Sequence, residues 1–309
     1  MGGKAPLVSV GIPTHNRASS LHHTLDSVLA QDYTPLEIVI SDNASTDETE
    51  AVCRAYSSRH NHVRYLRQPR NLGLTRNFSE TLRHATGEYF MWLADDDFIE
   101  PGYLGACVRV LAERTDHALV YGTVRYHRGR WEEWDEPPIT LQHDDPVERV
   151  AAFYEQVRWN GSLHGLMRRR DLLSVPFEST VGDDWNVVAS MAFLGKLATV
   201  DGVHLHRSIG VSGNVEEMAD ALGLSPFERR HFDLSLVMSV FRSIAWRSPV
   251  YETLGRRRRL LLAARCVASV VSWRHFAVIW PNFVTVWGLR GRLQIRTRLR
   301  RWLRRVSPP

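Results

Sequence analysis

GEYFMWLADDDFIEPGYL, residues 87–104, is the stretch on which the fold of this chain turns. Glu88–Leu93 is a short apolar run opening after Gly87, the mark of a strand buried on both faces. Three carboxylates, Asp95, Asp96 and Asp97, follow at once. Pro101 then stands where the first turn of a helix falls, with Leu104, Cys107, Val108 and Leu111 at helical spacing behind it. A strand that runs into polar residues and then into a helix is the repeating unit of a layered α/β sheet.

The same alternation extends on both sides. Leu7–Ile12, Leu36–Ser41, Val63–Leu66 and Ala118–Tyr121 read as further strands. Between them, Leu21, Leu25, Val28 and Leu29 repeat at helical spacing, as do Leu74, Phe78, Leu82 and Ala85. Ser45 and Glu48 stand as a capping box opening a helix through about Tyr56. The pattern predicts a mostly parallel sheet wrapped by helices, with ligands bound outside the carboxyl ends of its strands. The polar clusters fall there: Thr14-His15-Asn16-Arg17 after the first strand, Asp42-Asn43-Ala44-Ser45 after the second, and Asp95-Asp96-Asp97 after the fourth.

Three adjacent carboxylates at a strand end repel one another, and a metal ion is the usual compensation. Mg²⁺ takes one or two carboxylates and completes its shell with phosphate oxygens and water, which a nucleotide diphosphate supplies. The competing reading is an acidic patch favoured by the dipole of the helix at Pro101. Asp42 ends its strand with a carboxylate suited to the imide N–H of uracil or thymine, or else is a loop residue ahead of a helix. Asp183-Asp184-Trp185 offers a base beside an aromatic ring, or an acidic helix start before Val187–Phe193. His204 and His206 face one side of a strand, and His206 is a candidate further metal ligand.

VSVGIPTHNR (8–17), LEIVISDNASTDET (36–49), NLGLTRN (71–77), residues 87–104 and GDDW (182–185) together resemble family 2 glycosyltransferases in order and spacing. The resemblance covers most of residues 7–190. It implies a GT-A fold, a Rossmann-like α/β domain over residues 1–224, with a nucleotide-sugar half to about 125 and an acceptor-side half beyond. It implies that Pro13, Thr14, Asn16, Arg17, Asp42, Asn43, Arg70, Asn77 and Asp95 bind the nucleotide-sugar. Asp96 would be the principal ligand of Mg²⁺ or Mn²⁺, with the choice of Asp95 or Asp97 as its helper open. Asp184 would be the base of an inverting transfer from a UDP- or dTDP-sugar. Commoner members carry Asp where Ala94 stands, and the Gln-x-x-Arg-Trp motif and membrane spans of processive synthases are absent from this sequence. Both absences favour transfer of single sugars. The expected acceptor is a lipid-linked or surface-polysaccharide precursor, with a soluble natural product as the alternative. A nucleotidyltransferase would want a Gly-rich basic loop after the first strand, which Pro13–Arg17 is not.

Charge divides the chain. Its net +5 hides a region, residues 225–309, with 18 Arg and three acids, and no acid follows Glu252. From Ser225 onward the pattern is helical, basic and aromatic, and no apolar stretch approaches the ~20 residues of a spanning helix. Arg with Trp and Leu suits a helix lying on an anionic membrane surface. A helical bundle or a contact between two copies is the blander reading, and nucleic-acid binding is disfavoured because no base-reading module is present. Three scattered cysteines, Cys53, Cys107 and Cys266, suit a reducing compartment. With no apolar leader ahead of the first strand, the expected location is cytoplasmic, peripheral on the inner membrane face.

Overall fold

Short β-rich runs bounded by polar loops build the centre of the molecule. The computed structural model describes residues 5–129, 132–209 and 219–272. Strands β1 (Val8–Thr14), β2 (Leu36–Asp42), β3 (Val63–Arg67) and β4 (Tyr89–Trp92) pair in parallel in the order 3-2-1-4. β1 is buried along its whole length because α1 (Ala18–Leu29), α2 (Thr49–Arg59) and α3 (Leu74–His84) cover the faces of these strands. Helix α1 buries Leu21, Leu25 and Val28, the spacing read from sequence.

Two local readings change. Ser45 and Glu48 form no capping box; α2 starts at Thr49, and the Ser45 hydroxyl instead accepts from the Asn16 backbone N–H at 2.9 Å. In α3 the most buried residues are Thr75, Asn77 and Thr81, while Leu74 is 40% exposed. Polar side chains face inward there because Asn77 and Thr81 have partners to meet on the sheet and at Trp92.

Beyond β4 the sheet is mixed. The short β5 (Phe98–Ile99) leads to α4 (Tyr103–Glu113) and the long β6 (His117–Arg128), which pairs with the hairpin strand β7 (Glu132–Asp135). Helix α5 (Pro146–Gln156), a 3-10 turn at Gly161–His164, β8 (Leu166–Arg168), the short α6 (Arg169–Leu172), α7 (Asp183–Leu194) and β9 (Lys196–Ile209) follow. β8 runs antiparallel between β4 and β6, β9 lies parallel to β6, and β5 closes on β9 in antiparallel register with Phe98 opposite His206.

Helices α8 (Pro226–Arg230), α9 (Phe232–Arg242) and α10 (Gly255–Val271) complete the described chain. Helix α10 packs on α5 and α9, α9 packs on α7, and α8 leads into α9. Among the described residues, no helix is long and apolar enough to cross a membrane. Cys53, Cys107 and Cys266 are buried free thiols.

Candidate active site

The loops after β1 and β2 are laced together. Asn16 and Ala44 both hold positive φ, 54° and 59°, a conformation that Asn tolerates and Ala adopts rarely. The Asn16 side-chain oxygen accepts from Thr46 N at 2.8 Å, and Ser45 N donates to Asp42 Oδ1 at 2.8 Å. Asp42 is fully buried; its Oδ2 accepts from Tyr65 at 2.8 Å and from Arg67 at 2.9 Å. The carboxylate expected on a base edge thus already has three donors, because neighbouring β3 delivers Tyr65 and Arg67 onto it. Asn43 is likewise engaged, accepting from Leu72 N at 2.7 Å and donating to Asn71 at 2.8 Å. Asn77 donates to Ser41 O at 2.9 Å and accepts from the Ser41 hydroxyl at 2.7 Å, so it braces strand ends. Pro13 lies buried in β1, and Arg70 is exposed with no hydrogen-bond or ion-pair partner among the described residues.

The acids divide by environment. Asp97 is buried and clamped from β9: Arg207 Nε donates to Oδ2 at 2.8 Å and Ser208 N to Oδ1 at 3.0 Å. Ser208 Oγ donates to the Asp96 carbonyl at 3.0 Å, and Thr24 holds the Asp97 carbonyl from α1 at 2.8 Å. Held from three sides, the loop leaves the half-buried Asp96 with a carboxylate that has no partner among the described residues. Asp95 lies beside it, 3.8 Å from Arg17 Nε, and burial with the Asp96 charge pushes its carboxyl up to about 7. Next to Asp95, His15 Nδ1 is a buried polar atom without a hydrogen-bond partner among the described residues, and Thr14 places its hydroxyl toward the Asp95 carboxyl.

These residues fit a divalent cation shared with a diphosphate. Among the described residues no three His, Cys, Asp or Glu side chains gather into a metal cage. One or two carboxylates are what Mg²⁺ or Mn²⁺ takes from protein when phosphate oxygens complete the shell. His206 does not join them. Its Nε2 lies 3.1 Å from Glu100 and its Nδ1 2.8 Å from His127, and its ring stacks on Phe98 at 4.3 Å. Side chains alternate along β9, so His206 faces away from the side on which Arg207 meets Asp97. Asp97, spent on Arg207, is also a brace in this arrangement.

Asp184 sits in the first turn of α7, which opens on Gly182 at φ 75°. A Cβ at Gly182 would stand 2.2 Å from Leu236 Cδ1, so glycine answers both the backbone and the close packing of α9. Asp183 turns back to accept from Glu178 N, and burial raises its carboxyl to about 7. Asp184 accepts from Asn160 Nδ2 at 3.1 Å, and burial raises its carboxyl too. Asn160, at φ 61°, is fixed by Ser162 Oγ, which donates to its side-chain oxygen at 3.0 Å. Asn16, Ala44 and Asn160 are the positive-φ residues other than glycine among the described residues, and all three border this site.

A family model for glycosyl transferase family 2 matches residues 9–178, more than half of the chain. The chain belongs to glycosyl transferase family 2. Chondroitin synthase of Escherichia coli is 33% identical over 122 residues, covering 40% of this chain and 18% of that protein. Hyaluronan synthase of Pasteurella multocida is 32% identical over 122 residues, covering 40% and 12%. This family 2 chain thus spans less than a fifth of the length of these relatives. Among solved structures, S. aureus TarS 1–349 in complex with UDP superposes with TM-score 0.55 at 17% identity, over 88% of this chain and 83% of that one. The mannosyltransferase PcManGT from Pyrobaculum calidifontis, in complex with GDP-Man and Mn2+, gives 0.53 at 20%, over 91% and 81%. The GT-A fold is therefore shared.

Arg207 and Asn160 escaped the sequence reading. Besides Asp97, the Arg207 charge acts on Asp96 and Asp184, and its guanidinium lies 5.8 Å from the Tyr126 ring centre. One signal pointed to it: if His204 and His206 share a face, Arg207 must take the other. Trp134 and Trp159, both half-buried, each lie 5.6 Å from the Tyr126 ring, with Trp159 next to Asn160.

Proposed function

We propose that this family 2 member transfers a sugar from a UDP- or dTDP-sugar to an acceptor hydroxyl, with inversion, using Asp184 as base. One observation carries the reading. In each of two distant acidic pairs, one carboxylate is spent on structure and its neighbour is left for chemistry. Asp97 is bound to Arg207 while the Asp96 carboxylate has no hydrogen-bond or ion-pair partner among the described residues; Asp183 is bound to Glu178 N while Asp184 has a single side-chain donor among them. Arg207 acts on both Asp96 and Asp184.

The donor lies over the loops of β1 and β2, with Thr14, Asn16 and Arg17 along it and Arg70 free to reach its phosphates. Asp42, Asn43 and Asn77 hold those loops in shape. Asp96, assisted by Asp95, would hold Mg²⁺ or Mn²⁺, which when bound neutralises charge on the departing diphosphate. Asp184 takes the proton of the acceptor hydroxyl as that oxygen attacks the anomeric carbon. Its raised pKa strengthens it as a base, and Asn160 fixes the carboxylate through the Oδ2 bond. Trp134 and Trp159 supply an aromatic wall for the acceptor. The chondroitin and hyaluronan synthase relatives support a polysaccharide-type acceptor, and the solved neighbours, bound to UDP-GlcNAc and to GDP-Man, support a nucleotide-sugar donor.

The test is nucleoside diphosphate release from a panel of nucleotide sugars with Mn²⁺, comparing wild type, Asp96→Ala and Asp184→Asn. Asp96→Ala is expected to lose metal-dependent release. Asp184→Asn is expected to keep donor binding and lose transfer by about 10²–10⁴-fold. Full transfer by Asp184→Asn would remove the assigned base, and absent donor binding by wild type would remove the function.

A further inference from the structure

Helix α10 is buried on one side only. Arg259, Leu262, Ala263, Cys266 and Val270 face the protein, which fixes the rotation of the helix about its axis. The opposite side is apolar where a surface helix is normally charged. Leu260 is 39% exposed, Leu261 63% and Val271 48%, and Ala264 and Ala268 are exposed between them. At 3.6 residues per turn these five side chains fall within an arc of about 100°. Arg257 lies in the same arc at its N-terminal end, flanked by Arg256 and Arg258. All three are exposed, and none has a hydrogen-bond or ion-pair partner among the described residues. Arg265, at one edge, is engaged by Glu148 at 2.7 Å.

We infer that the outward face of α10 is a docking surface for an anionic lipid bilayer. Apolar side chains in one arc with cations at their margin are the chemistry of a helix lying in the headgroup region. There, Leu and Val enter the acyl boundary while Arg stems reach the lipid phosphates. Charge complementarity names the occupant. No acid follows Glu252, and residues 225–309 carry 18 Arg against three acids, so a cationic protein surface is excluded and an anionic one is attracted. The inference is independent of the proposed sugar transfer.

The experiment is co-sedimentation of the full chain with vesicles of phosphatidylcholine alone or with added phosphatidylglycerol. Wild type is expected to pellet with the anionic vesicles and stay in solution with the neutral ones. The pair Leu260→Glu/Leu261→Glu is expected to lower the partition coefficient about tenfold or more, and Arg256→Ala/Arg257→Ala/Arg258→Ala to lower it and weaken its salt dependence. Leu173→Glu, a matched change at a leucine 51% exposed away from α10, is expected to bind as wild type. Circular dichroism melts of each variant confirm folding. Undiminished binding by the Leu260/Leu261 variant overturns the proposal, as does equal loss with Leu173→Glu. A lipid-free dimer that the same variant converts to monomer would assign the face to a second copy.

Discussion

Arg207 shows how one side chain ties the two acidic centres together. Buried ion pairs gain little net stability, yet breaking one leaves an uncompensated charge in the interior. Arg207→Met strands Asp97, whose carboxyl burial already raises. The expected cost is about 3 kcal/mol by denaturant titration, and the double variant Arg207→Met/Asp97→Asn should recover much of it. A second readout concerns chemistry. Arg207 lowers the pKa of Asp184, so its removal raises that pKa. The base works ionised; the acidic limb of kcat/KM should therefore move to higher pH in Arg207→Met. A limb that stays in place would show that Arg207 does not act on Asp184.

The N-terminus of α7 carries a prediction of its own. A helix N-terminus favours carboxylates, yet Asp183 is held up at about 7 against an ordinary 3.8, chiefly by burial. Below the unfolded value the group is protonated in both states and costs nothing. Between the unfolded and folded values the unfolded chain ionises while the native carboxyl stays protonated, so stability falls as pH rises and levels off above about 7. Asp183→Asn keeps an oxygen for Glu178 N and removes that charge. It should match wild type in melts near pH 3.5 and exceed it by on the order of 2 kcal/mol near pH 8. Equal stability at both pH values would refute the buried charge.

At this same scale the sequence was informative for some elements and silent on others. The parallel strands β1 to β4 are continuous apolar runs, and each acid cluster sits at an element end, so Asp95–Asp97 and Asp183–Asp184 were legible. Which acid stays open was not, because that depends on donors from far away: Arg207 and Ser208 on β9, Glu178 before α7, Asn160 before the 3-10 turn. The roles expected of Asp42 and Asn77 met the same limit. A motif gives their position, whereas Tyr65, Arg67 and Ser41 decide what their polar atoms have left to offer.

For the molecule as a whole, the C-terminal helices hold the base-bearing helix in place. Ser239 of α9 accepts from Asn186 of α7 at 2.9 Å, Tyr251 packs on Phe193 with ring centres 5.0 Å apart, and Arg247 pairs with Glu178. Helix α10 in turn holds the turns beneath it, Arg259 donating to Ile244 O at 2.9 Å and Ser248 O at 3.1 Å. Ending the chain at Leu254 would uncover the partners of Leu262, Cys266 and Val270 and leave those carbonyls unmet. At about 1.5–3 kcal/mol for each large apolar side chain, the loss approaches the whole stability of an ordinary domain. The truncated protein should therefore melt far below the full chain, or fail to fold, in a thermal circular dichroism scan, whereas Leu260→Glu/Leu261→Glu should melt with wild type because both leucines point away from the core. A truncated protein as stable as the full chain would show residues 255–309 to be an appendage, and the orientation of α7 would then owe nothing to α10.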